Sequence, residues 1–153
     1  MPLQPESSLT AGQAGIHAQL PEPGSFNVFQ GEKISMEDLR AIGQVTGDEY
    51  NLFHKEGQSL VIRGNGSSIE VSPEMHGDLL DGVYGRFEAH THPPGYSIDP
   101  GPADRPFLAK MGQEYSEIWG DDGVYTFGQH GIADDLRIQS ELNSKMWQDL
   151  YGD

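Results

Sequence analysis

The chain contains no cysteine. That absence removes disulfides, thiolate nucleophiles, iron–sulfur clusters and every zinc site that needs sulfur, so a bound metal would have to rest on His, Asp and Glu. Positive charge is scarce as well. Nine Lys and Arg stand against 24 Asp and Glu, a formal net charge of -15. Such a field repels phosphate backbones and anionic lipid, so neither a nucleic-acid nor a membrane-surface role is expected. No apolar run approaches the length of a membrane span, and the opening MPLQPESSLTAGQAG lacks the charged and apolar regions of a signal peptide. A soluble protein is the expectation, and 153 residues suit one domain with a core of its own.

What is present begins with punctuation. Residues 1–30 are rich in Pro, Gly, Ser and Gln without a sustained period, which reads as a flexible arm or linker remnant ahead of a domain at 31–153. In SMEDLRAIGQVTG, Ser35 is placed as an N-cap, Met36, Leu39 and Ile42 recur at helical spacing, and Gly47 stops the run, predicting a short helix. EYNLFHKEGQSLVIRGNGSSIEVS alternates apolar or β-branched runs with turn residues and predicts strands joined by a hairpin; GVYGRFEAH predicts another strand. PADRPFLAKMG reads as a helix, and YSEIWGDDGVYTFG as two strands around a turn. In ADDLRIQSELNSKMWQDLY, Leu142, Met146, Trp147 and Leu150 mark the stripe of a closing amphipathic helix. The order predicts an α+β domain, layered α/β/α, with a mixed central sheet flanked by helices.

The chemistry is concentrated in FEAHTHPPGYSIDPGPAD. On an extended chain, residues two apart project to one side, so His90 and His92 can present both imidazoles to one point. Gly101, Pro102, Ala103 and Asp104 read as N-cap, N1, N2 and N3 of the following helix, which offers the Asp104 carboxylate as a third ligand. Two imidazoles and a carboxylate leave a coordination position open, the pattern of a catalytic zinc site, although iron or manganese fits the same donors. The spacing by itself does not settle the matter, since an H-x-H pair is more often part of an ordinary turn than of a metal site. His17, His54, His76 and His130 have no comparable partner spacing and read as surface or internally satisfied histidines.

The run HTHPPGYSIDPGPADRPFLAKMG resembles the signature of the JAMM (MPN+, JAB) metallopeptidases, H-x-H-P followed by a loop and S-x-x-D entering a helix. TGDEYNLF resembles the upstream strand that carries the family's glutamate, and GQEYSEIWGDDGVYTFG the following strand pair in JAB-like domains of bacterial polymorphic toxins. The likeness spans residues 35–128. It implies a JAMM or cytidine-deaminase-like fold, Zn²⁺ held by His90, His92 and Asp104, Glu49 as general base, and hydrolysis of a peptide or isopeptide amide. The implied partners are a protein or peptide substrate, ubiquitin-like among the options, and a cognate immunity protein if the domain is a toxin effector delivered within a larger secreted bacterial protein.

Glu88 competes with Glu49 for the role of base, because it precedes His90 by two residues and would share its face on a regular strand. The chain departs from the family pattern at Gly101, where the family has serine, and in an interval from His92 to Asp104 that is one residue longer. Ser97 or Tyr96 on the same loop is the expected substitute hydroxyl, Ser97 the first choice. The departure keeps open a metal-binding interaction module with weak or no catalysis.

Overall fold

The computed structural model describes residues 3–31, 34–65, 71–95, 104–120, 123–128 and 131–132. Ser97, Tyr96, Gly101 and the stripe Leu142, Met146, Trp147 and Leu150 lie outside these residues, as does His130.

Seven strands form one mixed sheet in the order β1-β3-β2-β4-β5-β6-β7: Phe26–Gln30, Tyr50–Lys55, Gln58–Arg63, Arg86–Thr91, Tyr115–Gly120, Gly123–Gly128 and the two-residue Gly131–Ile132, numbered along the chain. The β4–β5 pair is parallel and every other neighbour antiparallel. The β2–β3 hairpin turns through Gly57 at φ 74°, as the Lys-Glu-Gly signal implies. A parallel step needs a crossover, and α4, Asp104–Met111, lies between β4 and β5.

Strand alternation sorts the core onto two faces. Leu52, Val61 and Ala89 join one cluster with Met36, Leu39 and Ile42 of α2 (Met36–Thr46). Their neighbours Phe53, Leu60, Ile62 and Phe87 join the other, with Met75 and Leu79 of α3 (Pro73–Leu80) and Leu108 of α4. Helices therefore cover both faces, and the described residues form an α+β domain in three layers. Among them no helix is long and apolar enough to cross a membrane.

Helix α2 forms where its caps dictate. The Ser35 side chain accepts a hydrogen bond from the Asp38 N–H, and Gly47, at φ 77°, closes the helix in the left-handed region that glycine enters without steric cost. Gly85 is still more constrained. At φ 89° it passes so close to β2 that an added Cβ would stand 2.0 Å from the His54 carbonyl oxygen.

Residues 3–30 correct the expectation of a flexible arm. Ala11–Ala18 form α1, closed by a reciprocal Thr10–Gln13 capping box, and β1 pairs with β3 along its length. Leu20 is fully buried in the α2-side core, Gln13 bonds Asp38 on α2 at 3.0 Å, and the Arg63 guanidinium donates to the Leu20 carbonyl at 2.7 Å. Composition misleads here because order comes from a few anchors rather than from a continuous stripe. Helix α3 was also not anticipated, although Ser72 caps it and Pro73 occupies its first turn, the usual signature of a helix start.

Candidate metal centre

His90 is near the end of β4, in the middle of the sheet, with its ring on the α4 face. Phe87 stacks on it with centroids 5.5 Å apart and planes at 16°, and Phe127 meets it edge-on at 5.7 Å. The residue is completely buried. One step past the strand the parallel pairing persists, because the His92 N–H donates to the Trp119 carbonyl at 2.9 Å. That bond fixes the backbone from which His92 turns back toward His90.

The two Nε2 atoms are 3.1 Å apart. Asp104, first of the described residues of α4, brings Oδ2 to 3.3 Å from His90 Nε2. One ligand atom from each of the three residues lies within 4.8 Å of the others. Ligands at zinc bond lengths of about 2.0–2.1 Å in a tetrahedron are roughly 3.3 Å apart, so the separations of His92 and Asp104 from His90 are already those a divalent ion requires. His90, His92 and Asp104 can hold a metal ion.

The electrostatics favour a cation there. Burial opposes charge on His90, yet the Asp104 hydrogen bond and the charges of Glu49 and Asp104 outweigh it, so the imidazole pKa is raised. The protein therefore concentrates negative potential on a buried imidazole, and an ion or a proton answers it. Ligand histidines commonly donate their second ring nitrogen to a partner. His90 Nδ1 has none among the described residues, and the aromatic rings of Phe87 and Phe127 hold this imidazole in place instead.

Glu49 immediately precedes β2 and is 4 % exposed. Its backbone is fixed by neighbours: its carbonyl accepts the Gly64 N–H at 2.7 Å, the Tyr50 N–H donates to Thr91 Oγ1 at 3.0 Å, and Arg63 pairs with Asp48 at 2.8 Å. Burial pushes the Glu49 carboxyl up to about 7, with His90 pulling it down, Asp104 raising it and Asn51 lowering it. A carboxyl poised near neutrality next to ligand-type side chains has the proton affinity that general base work calls for.

Glu88 is not its equivalent. The β2–β4 register slips between Leu52, opposite Ala89, and Phe53, opposite Phe87, which leaves Glu88 as the extra residue of a β-bulge. The bulge breaks the two-residue alternation that would place Glu88 beside His90, and Phe87 takes that place. Glu88 instead acts on Glu117 of β5, whose pKa is raised by burial foremost and by the Glu88 charge among the lesser causes. Sequence spacing cannot show a bulge, so the parity argument for Glu88 fails at that point.

Asn51 was not singled out from the sequence. It lies two residues after Glu49 on β2, directly across from His90, and is 1 % exposed. An E-x-N pattern on a strand entering a histidine pair is the signal that could have found it. His17, His54 and His76 stand apart from the trio; His54 Nδ1 pairs with Ser59 Oγ at 3.1 Å, and His76 packs against Phe107.

No protein-family model matches the chain, and searches of curated proteins and of solved structures returned no match.

Proposed function

We propose that the protein is a metal-dependent hydrolase of peptide or isopeptide amides, of JAMM type, with His90, His92 and Asp104 holding a divalent ion, zinc by preference, and Glu49 as general base. One observation carries the reading: three ligand-type side chains at metal spacing beside a buried glutamate with a pKa raised to about 7. When bound, the ion would supply Lewis-acid polarisation of a carbonyl and would lower the pKa of water. The remaining work belongs to the chain. Glu49 accepts a proton from the attacking water and returns it to the leaving amine. Burial of His90 and Glu49 strengthens each charge interaction in which they take part.

The supporting layout is an α/β/α sandwich with the ligands on a central strand and at a helix start, the arrangement that the HxH and Asp segments resemble. A catalytically silent metal-binding module is the second reading, favoured by Gly101, which has no hydroxyl to offer where the family has serine.

Metal analysis of the purified protein decides the first part: about one zinc per chain is expected, and none in His92→Ala. Glu49→Gln should keep the metal and lose turnover of peptide substrates. Zinc at full occupancy in His92→Ala overturns the ligand set. Undiminished cleavage by Glu49→Gln overturns the base, and a zinc-loaded wild type that cleaves neither peptide nor isopeptide substrates supports the silent module. If the domain is a toxin effector, its production in a bacterial cytoplasm slows growth in a manner that depends on Glu49.

A further inference from the structure

Amide hydrolysis builds negative charge on the carbonyl oxygen, and an efficient site aims a hydrogen-bond donor at that atom. Gly101 has no side chain to do so. Among the described residues near the ligands, Thr91 Oγ1 is already engaged by the Tyr50 N–H, on the opposite face of the sheet.

Asn51 is placed differently. Alternation along β2 puts Leu52 in the α2-side core and Phe53 in the α4-side core, so Asn51 projects to the α4 side, the face of His90. It is directly across the ladder from His90, and its side chain touches the Glu49 carboxyl. That contact lowers the carboxyl's pKa as a hydrogen bond does but falls short of hydrogen-bond geometry, and at 1 % exposure Asn51 Nδ2 meets no other partner among the described residues. A buried amide donor without a partner is destabilising, and such groups persist where a ligand satisfies them.

We propose that Asn51 is the neutral hydrogen-bond donor of this site, its Nδ2 N–H donating to the carbonyl oxygen of the bound amide. The inference rests on the hydrolase reading above. An amide suits the role because it donates at every pH at which the protein is folded and adds no charge beside Glu49.

The test uses the full chain loaded with zinc and acetohydroxamate as probe, whose carbonyl oxygen stands in for that of the scissile amide. Zinc content, hydroxamate affinity by calorimetry and the metal-free melting temperature are measured for wild type, Asn51→Leu and Asn51→Ala. Leucine has a similar shape and no donor. Asn51→Leu should melt at the wild-type temperature or above, because it removes an unsatisfied polar group, keep its zinc, and bind hydroxamate about tenfold more weakly, the loss of one hydrogen bond. Equal hydroxamate affinity in wild type and both variants overturns the assignment of Asn51 and leaves the metal centre standing. Lower melting temperatures in both variants, with hydroxamate affinity intact, make Asn51 a structural residue and also overturn it. A wild type that takes up no zinc removes the hydrolase reading, and this inference with it.

Discussion

The two faces of the sheet are built from the same strands and differ in the groups they bury. On the α2 side, Leu39, Ile42, Leu52 and Val61 are fully buried aliphatic groups, and Thr91, where it enters that layer, is bonded to the Tyr50 N–H. On the α4 side the core holds Phe53, Phe87, Phe107 and Phe127 beside its aliphatic groups, and its edge carries the buried polar residues His90, Glu49 and Asn51. Buried polar atoms as a rule find partners. His90 Nδ1 and Asn51 Nδ2, next to the metal-ligand group, meet none at hydrogen-bond geometry among the described residues, and such departures concentrate where a protein does chemistry.

The largest separation of the two faces should come from Leu39→Ala. Deleting a fully buried leucine side chain costs about 2–5 kcal/mol through lost transfer energy and the cavity left behind. Chemical denaturation should show that loss, while zinc content per folded chain stays unchanged, because Leu39 is on the far side of the sheet. Loss of zinc from the folded variant would show that the faces are coupled.

Next in size is the pH dependence carried by Glu49. Its folded pKa of about 7 stands above the unfolded value of 4.5, so the metal-free folded state holds a proton that the unfolded chain has released. The stabilisation is complete below about pH 4.5 and is lost as pH rises through 7, a fall of roughly 3 kcal/mol for the metal-free protein. The raised pKa of His90 acts with the same sign from its unfolded value of 6.5 upward. Glu49→Gln should flatten the lower part of this slope, and zinc should flatten it in wild type by drawing the carboxylate into its charged form. An unchanged slope in Glu49→Gln would place the titration elsewhere.

A smaller effect is expected at the seam between the faces. Thr91→Val keeps the shape and removes the acceptor of the Tyr50 N–H, leaving a buried donor unsatisfied at about 1–3 kcal/mol. Because Tyr50 adjoins Glu49, turnover should fall with stability while zinc is retained; a stable variant with normal turnover would show that the strand start is held by its other bonds alone. Smallest is Thr10→Ala, which deletes the cap of α1 at about 1 kcal/mol. A measurable loss in global unfolding confirms that α1 belongs to the cooperative domain, and no loss means that it frays independently.

Local signals in the chain were sufficient for several of these features. Ser35, Gly47 and the Met36, Leu39, Ile42 spacing specify α2, because caps and helical period act within a dozen residues. The pair His90 and His92 is visible because two ligands on one extended segment need no long-range information. The order of α2, the β2–β3 hairpin, β4, α4 and the β5–β6 pair likewise follows from runs and turns, and with it the mixed α+β class. The N-terminal segment escaped that reading since its order depends on Arg63, Asp38 and β3, residues distant in sequence that its composition cannot disclose.

The amino-acid sequence by itself determined the donor chemistry: no thiolate, two histidines at strand spacing and a carboxylate ahead of a helix, together with the local caps and turns. Only the tertiary structure decided which groups meet. The bulge at Glu88 reset the alternation of β4 and removed that glutamate from the His90 face, while the pairing of β2 with β4 brought Glu49 and Asn51 to it. Burial then moved the Glu49 pKa toward neutrality and left Asn51 Nδ2 without a partner at hydrogen-bond geometry among the described residues, because desolvation and cross-strand register belong to the packed sheet and to no single stretch of chain.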